Sequence, residues 1–215
     1  MLHIVVVTRN RSIYVKTLHM LLGIQTLCSH VKLPIDLNFV RDANKDKMET
    51  LKRKLKDADR VLWIEYGVSC DRDSVQNFIK NFDGFSSIVF PVVKEGVDWD
   101  MFKRKLQEGS EEPSEQKGLT FDTDVTPKKV GDYYPVTKTE PSLWAMDTKN
   151  VLKKIKDKKS SGKGLVLPPT IDGFFEMCLK KNVKIVADAN AKTFNHFTHE
   201  CVGNLMNISG LKVTK

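Results

Sequence analysis

Short apolar runs alternate with amphipathic segments along the first hundred residues of the chain. The runs are continuous and rich in β-branched residues, which is typical of strands buried on both faces of a parallel sheet. The intervening segments repeat apolar residues at helical spacing. Strands are expected at 2–7, 35–40, 60–64 and 87–93, and helices at 13–28, 48–55 and 73–82. This alternation predicts an α/β fold with a mostly parallel central sheet flanked by helices.

The second half of the chain has a different pattern. Residues 109–141 are polar, contain four prolines and show no clear periodicity, so a long irregular loop is expected there. Regular structure then resumes. Strands are expected at 143–146 and 183–187, and helices at 148–155, 172–181 and 198–206. A chain of 215 residues is long enough for one domain with a substantial core.

Composition and charge narrow the class of protein. The chain is 40% hydrophobic and 29% charged, as in ordinary globular proteins. No apolar run approaches the roughly 20 residues of a membrane span. Met1–Val7 is followed at once by Arg9 and Arg11, unlike a signal peptide, so a cytoplasmic protein is expected. The four cysteines lack metal-ligand spacing, and neither a disulfide nor a zinc site is expected.

The net charge of +8 favours an anionic partner, such as a nucleic acid or a phosphate-bearing small molecule. The two lysine-rich stretches, 45–60 and 153–163, are interrupted by acids, which favours solvated helix faces over a binding surface. Ligands of open α/β sheets bind at the carboxyl ends of the parallel strands. Here these ends carry charged residues, at Thr8–Arg11, Arg41–Asp42 and Glu65–Gly67. Neither a GxGxxG nor a P-loop motif occurs, which argues against dinucleotide redox and P-loop NTPase chemistry.

The order of these segments resembles the GT-A family of nucleotide-sugar glycosyltransferases. The resemblance is carried by Ile4–Arg11, Val40–Asp42, Asp57–Gly67, Pro141–Asp147, Ile171–Leu179 and Val183–Ala187, followed by His196. More narrowly, the size of the chain and Trp63–Val68 are similar to small glycosyltransferase domains of large DNA viruses of the chlorovirus type, which would place it in the host cytoplasm. The resemblance implies one Rossmann-like GT-A domain over 1–215. Residues 1–100 would bind the nucleotide, and 101–215, including the long loop, would bind the acceptor.

The resemblance also implies an activity and its residues. It implies inverting transfer of a hexose or deoxyhexose from a nucleotide-diphosphate sugar, expected to be UDP-linked, to a hydroxyl of a glycan or glycoprotein, assisted by Mn²⁺ or Mg²⁺. The expected donor-binding residues are Thr8, Arg9, Asn10, Arg11, Asp42, Glu65, Tyr66 and Gly67. Glu65 and His196 would bind the metal, and Trp144 the acceptor, with Tyr133 and Tyr134 as further aromatic faces. Neither a nucleic acid nor a membrane span is implied.

One segment departs from the family pattern. A DxD motif holds the divalent cation that offsets the charge of the diphosphate leaving group. Here residues 65–67 are Glu-Tyr-Gly, which leaves one carboxylate, and the glycine would allow a phosphate to approach the backbone closely. DxD strings occur instead at Asp71–Asp73, which fits a helix cap, and at Asp122–Asp124, which fits an acidic turn or an acceptor lid. Arg9 and Arg11 offer another way to offset phosphate charge.

Asp172 is the candidate catalytic base. An inverting transfer needs a carboxylate to take the proton of the acceptor hydroxyl. At the start of a helix, the backbone dipole favours the ionised carboxylate. The same position equally suits a plain helix cap. Glu176 lies one turn later and is either a partner of Asp172 or a solvated acid.

Two other functions remain open from the sequence. The basic composition fits a non-catalytic nucleic-acid-binding α/β module, although no helix-turn-helix, zinc knuckle or aromatic-and-basic stretch is present. A nucleotidyltransferase would share the nucleotide-binding half but would use a phosphate nucleophile in place of a sugar hydroxyl.

Overall fold

The structure is a computed structural model that describes residues 1–80, 84–114, 116–156 and 165–196, without the side chains of residues 77, 78 and 80. The helix predicted at 198–206 lies outside these ranges. The helices described are α1 (Val15–His30), α2 (Asn44–Asp57), α3 (Arg72–Lys80), α4 (Trp99–Gln107), α5 (Thr148–Ile155) and α6 (Ile171–Lys180). In the described ranges, no helix combines the length and apolar character needed to cross a membrane.

The strands described are β1 (Leu2–Thr8), β2 (Ile35–Arg41), β3 (Arg60–Ile64), β4 (Val68–Cys70), β5 (Ser87–Val89), β6 (Thr123–Val125), β7 (Tyr134–Thr139), β8 (Leu143–Asp147), β9 (Ile185–Ala187) and β10 (Thr193–Asn195). Among the described residues, eight of them form one sheet in the order β2-β1-β3-β8-β5-β9-β7-β6, while β4 and β10 pair separately. Only β8 and β7 run against the other six strands of this sheet. The predicted α/β fold with a mostly parallel central sheet is confirmed.

Two apolar layers bury the two faces of the sheet. Val5 and Val7 of β1 lie in the layer that contains the apolar faces of α2, α5 and α6. Ile4 and Val6, which point the other way, lie in the layer that contains α1 and α3. Since successive strand residues alternate between faces, a strand covered on both sides needs apolar residues throughout. The continuous apolar run of β1 is therefore a direct consequence of its central position.

The segment 109–141 is not one long irregular loop, and that prediction was wrong in part. It supplies β6 and β7, which extend the sheet beyond β9. Thr123 pairs with Thr139 across these two strands, and their hydroxyl oxygens lie 2.8 Å apart. Thr123 and Thr139 are 16 positions apart, and β6 has only three residues, so the pairing leaves no clear periodicity in the sequence.

A charged cluster lies beside the first strand of the sheet. The side chain of Lys54, only 7% exposed, donates hydrogen bonds to Asp36 Oδ2 at 2.7 Å and lies 2.9 Å from His3 Nδ1. The hydrogen bond from Lys54 is the main cause that lowers the pKa of Asp36 to about 2. The ionised carboxylate of Asp36 therefore stabilises the fold at pH values above the pKa that Asp36 has in the unfolded chain. This contribution is lost as the pH falls towards 2.

Replacing Asp36 with Asn should lower the free energy of unfolding at neutral pH by about 2 kcal/mol, because buried Lys54 then lacks its counter-charge. The figure is below that for a fully buried pair, since the Asp36 side chain is 42% exposed and partly screened by solvent. Urea denaturation would measure it, with Asp124→Asn on the exposed side of β6 as the control. Equal stability of the two variants would contradict the role of this cluster.

Candidate active site

A cleft of about 490 Å³ opens at the carboxyl ends of β1, β2 and β3. Arg9, Asp42 and Glu65, the residues that directly follow these strands, line one side. Glu140 and Asp172 line it from the later half of the chain. Clefts at this edge of a parallel sheet are the usual ligand sites of α/β proteins, so we treat it as the candidate active site.

The floor of the cleft is a network of alternating charges. The ammonium of Lys47, from the first turn of α2, lies 2.6 Å from Asp42 Oδ1 and 2.7 Å from Glu65 Oε2. Arg9 Nε donates to the other oxygen of Asp42 at 2.6 Å. Trp63 Nε1 donates to the other oxygen of Glu65 at 2.9 Å. Both carboxylates are therefore held on both oxygens by protein donors.

Burial and charge act in opposite directions on this network. Burial raises the pKa of Asp42, but the hydrogen bonds from Lys47 and Arg9 outweigh it and bring the pKa below its usual range. Burial lowers the pKa of Lys47, but the charge of Glu65 and the hydrogen bond to Asp42 outweigh it and raise the pKa above its usual range. Lys47 is therefore a cation and Asp42 an anion at neutral pH. Burial raises the pKa of Glu65, against the effect of Lys47.

Asp172 reaches the cleft from the first turn of α6. Thr170 is the N-cap of this helix, and its hydroxyl accepts a hydrogen bond from the Gly173 N–H at 3.1 Å. The alternative in which Asp172 is merely the cap is therefore wrong. Partial burial, and then the negative charge of Glu140, raise the pKa of Asp172. Glu176 pairs with Lys180 at 2.5 Å on the exposed side of the helix, which favours the interpretation of a solvated acid.

The predicted metal ligands do not fit a divalent cation. Both oxygens of Glu65 already accept hydrogen bonds from Lys47 and Trp63. His196 Nε2 lies 2.8 Å from Ser69 Oγ, and its ring stacks on Tyr14 at 4.9 Å. Within the described residues, no group of three or more acidic, histidine or cysteine side chains is arranged to hold a metal ion. Glu65 and His196 line the cleft, but the described part of the chain does not complete the set of oxygen donors that the predicted Mn²⁺ or Mg²⁺ site needs.

The four residues that follow Val7 differ in position. Arg9 lines the cleft, with its guanidinium 5.1 Å from the centre of the Tyr66 ring, which also lines it. Thr8, Asn10 and Arg11 are not among the lining residues. The Thr8 hydroxyl donates to the Val40 carbonyl at 3.2 Å. Asn10 and Arg11 have φ of 50° and 58° and form a tight turn between Arg9 and Ser12.

Gly67 serves packing. Its φ is +77°, and a Cβ at this position would lie 2.9 Å from the carbonyl oxygen of His196. The glycine therefore lets β10 approach the turn before β4, where the His196 N–H donates to the Gly67 carbonyl at 2.8 Å. The expected role of Gly67 in approaching a phosphate is not supported, since it does not line the cleft.

Trp144 cannot bind an acceptor in this structure, and that prediction was wrong. Its side chain is fully buried. It stacks on Trp63, with ring centres 5.4 Å apart, and meets Phe175 edge to face at 5.2 Å. Tyr133 and Tyr134 do not line the cleft either.

Sequence reasoning missed several charged residues of the cleft. Lys47 was not singled out, and neither were Lys94 and Glu140, which form an ion pair at 2.7 Å. Asp122 was expected in a loop but is buried at the cleft, where it accepts hydrogen bonds from the N–H groups of Val92 and Ser142. Burial raises the pKa of Asp122.

The other DxD string is a structural feature. Asp71 accepts a hydrogen bond from the Ser74 N–H at 3.2 Å, just before α3, which confirms the helix-cap interpretation. Asp73 lies in the first turn of the same helix.

No protein-family model matches the sequence, and no curated protein is similar to it in sequence. Among solved structures, the inositol-1-phosphate CTP transferase from T. maritima is similar over 97% of this chain and 76% of its own, with 8% identity and a TM-score of 0.44. GalNAc-T7, crystallised with UDP, GalNAc and Mn²⁺, is similar over 93% of this chain and 43% of its own, with 10% identity and a TM-score of 0.48. Neither likeness identifies a ligand or an activity of this chain.

Proposed function

We propose that the protein is a glycosyltransferase of the GT-A type, which transfers a hexose from a nucleotide-diphosphate sugar to an acceptor hydroxyl. The observation that carries the proposal is one cleft, at the carboxyl ends of parallel strands, that holds a cationic pair and a carboxylate from a later helix. Arg9 and Lys47 are the cations, and Asp172 is the carboxylate. Cations are needed where the diphosphate binds, and a carboxylate where the acceptor hydroxyl loses its proton.

The donor is proposed to bind across the ends of β1, β2 and β3. Arg9 and Lys47 donate hydrogen bonds to the diphosphate, and the Tyr66 ring offers a flat face to the nucleotide. Asp42 positions both cations through its two oxygens, at 2.6 Å each. We expect the nucleotide to be UDP, as in the family that the sequence resembles.

Asp172 is proposed to act as the base. Its carboxylate takes the proton of the acceptor hydroxyl as that oxygen bonds to the anomeric carbon of the donor. The bond from the anomeric carbon to the diphosphate breaks, and the nucleoside diphosphate leaves with its electron pair. The raised pKa makes the ionised carboxylate of Asp172 a stronger base than that of an ordinary aspartate.

The charge of the cleft argues against a nucleic acid as its ligand. Three basic side chains, Arg9, Lys47 and Lys94, face six acidic ones, Asp42, Glu65, Glu95, Asp122, Glu140 and Asp172, among the described lining residues. A phosphate backbone needs a continuous basic track, whereas sugar hydroxyls are well served by carboxylate acceptors. The excess of acids fits a site that binds one diphosphate at its basic end and a sugar acceptor elsewhere.

Calorimetric titration with UDP, UDP-glucose, CTP and a single-stranded oligonucleotide tests the proposal. UDP and UDP-glucose should bind, and Arg9→Ala should weaken UDP binding by about tenfold through loss of a charged hydrogen bond. Arg41→Ala is the matched control, since this exposed arginine ends the neighbouring strand and does not line the cleft.

Other results would point elsewhere. CTP binding with release of pyrophosphate from a sugar phosphate would identify a nucleotidyltransferase. Oligonucleotide binding that weakens steeply with salt, without binding of any mononucleotide, would replace the proposal with nucleic-acid binding.

A further inference from the structure

The carboxylate in the predicted metal slot is already neutralised by the protein. Glu65 meets the Lys47 ammonium at 2.7 Å and the Trp63 N–H at 2.9 Å. Lys47 is only 12% exposed at its side chain, and it also meets Asp42 at 2.6 Å. A divalent cation at Glu65 would compete with these two hydrogen bonds for the carboxylate and would lie beside an ammonium group. Charge repulsion makes that arrangement unfavourable.

We propose that Lys47 is the resident cation of this site and that it binds the donor diphosphate without a divalent metal. This inference rests on the proposed function. An ammonium group has three N–H donors, and Asp42 and Glu65 accept two of them. The third is the donor assigned to a phosphate oxygen, at the point where Lys47 lines the cleft.

The surrounding charges explain why this lysine is needed. Asp42 and Glu65 both lie at the ends of strands where the diphosphate is proposed to bind. Without Lys47, Arg9 alone would face these two carboxylates, and an incoming diphosphate would meet net negative charge. The bond of Arg9 to Asp42 at 2.6 Å cannot replace Lys47, since no contact links Arg9 to Glu65 among the described residues.

The first experiment uses the unmodified protein. UDP affinity is measured by calorimetry in excess EDTA and again in excess Mn²⁺. The two dissociation constants should agree within about threefold, because the protein supplies the compensating charge. Binding that appears only with Mn²⁺ would overturn this inference and leave the proposed function intact. Absence of UDP binding in both buffers would instead contradict the proposed function.

The second experiment tests the lysine. In EDTA, Lys47→Met should weaken UDP binding by about 50-fold, whereas Lys47→Arg should retain most of it, since a charged hydrogen bond is lost in the first and kept in the second. Lys45→Met is the control, because Lys45 is exposed on the same turn of α2 and does not line the cleft. Thermal melting of each variant reports its folding.

Loss of Lys47 leaves Glu65 without its counter-charge, which by itself destabilises a fold. The double variant Lys47→Met with Glu65→Gln removes that charge and keeps the test valid if the single variant unfolds. It should fold and still fail to bind UDP in EDTA. Binding of UDP by the double variant with the affinity of the unmodified protein would show that Lys47 is only a structural ion-pair partner.

Discussion

Replacement of Asp172 by Asn should lower kcat/KM for sugar transfer by about a thousandfold, the usual contribution of a general base. Asparagine keeps the size of the side chain but cannot accept the proton of the acceptor hydroxyl. UDP affinity should be unchanged, since the carboxylate faces the acceptor in the proposed mechanism. UDP release from UDP-glucose, with water or a simple glycoside as acceptor, measures the first quantity, and calorimetry measures the second.

Glu176→Gln is the matched control for this experiment. Glu176 lies one turn along α6, outside the cleft, in an exposed pair with Lys180. The Glu176→Gln variant should transfer sugar with the same kcat/KM as the unmodified protein. Turnover of Asp172→Asn at the level of this control would remove Asp172 from the mechanism.

The pH profile gives an independent check on Asp172. Because a base must be ionised, turnover should rise as the pH passes through the raised pKa of Asp172. Glu140→Gln removes a negative charge that raises this pKa, so the rise in turnover should move to lower pH.

The raised pKa of Asp172 also affects stability. The folded state becomes less stable as the pH rises through this pKa, because the ionised carboxylate is less favourable in the fold than in the unfolded chain. Asp172→Asn should therefore be at least as stable as the unmodified protein at neutral pH.

Replacement of Trp144 by Ala should lower the free energy of unfolding by about 4 kcal/mol, as for large aromatic residues removed from protein cores. Trp144 is fully buried between Trp63 and Phe175, so its removal leaves a cavity in the centre of the sheet. The midpoint and slope of urea denaturation measure the loss.

Two further variants separate packing from function. Trp144→Phe should cost far less, since it keeps an aromatic ring and removes an indole N–H that has no hydrogen-bond partner among the described residues. Trp99→Ala, in the exposed part of α4, should have little effect on stability. A Trp144→Ala variant as stable as the unmodified protein would contradict this packing role.

The elements that could be predicted from sequence are those in which buried apolar residues repeat at strand or helix spacing within the element itself. Arg60–Ile64 and Thr148–Ile155 were predicted with the bounds that the structure gives them. The strands β4, β6, β7 and β10 and the helix α4 were missed. Strands of three residues are too short to show periodicity, and β4 pairs with β10, which lies far away in the sequence. Asn195 pairs with Val68, for example, across more than half of the chain.

The candidate site could be predicted only in part, from the rule that ligands of α/β proteins bind at the carboxyl ends of parallel strands. Arg9, Asp42 and Glu65 follow parallel strands, and the structure brings them together as that rule requires. Lys47 carried a signal that was overlooked, since it lies four residues before buried Leu51, on the apolar side of α2. Asp122 was noted only as part of a DxD string, and Glu140 not at all, because the folding of residues 109–141 against the sheet places both of them at the cleft.

The position of β8 has a consequence for synthesis of the chain. β8 lies between β3 and β5, although both of these strands leave the ribosome some fifty residues or more before it. Until residue 147 has emerged, the edges of β3 and β5 that will pair with β8 have no partner strand. An unpaired strand edge can form hydrogen bonds with another chain and so promote association. Translation through this interval therefore leaves two strand edges of the nascent sheet open to association with other chains.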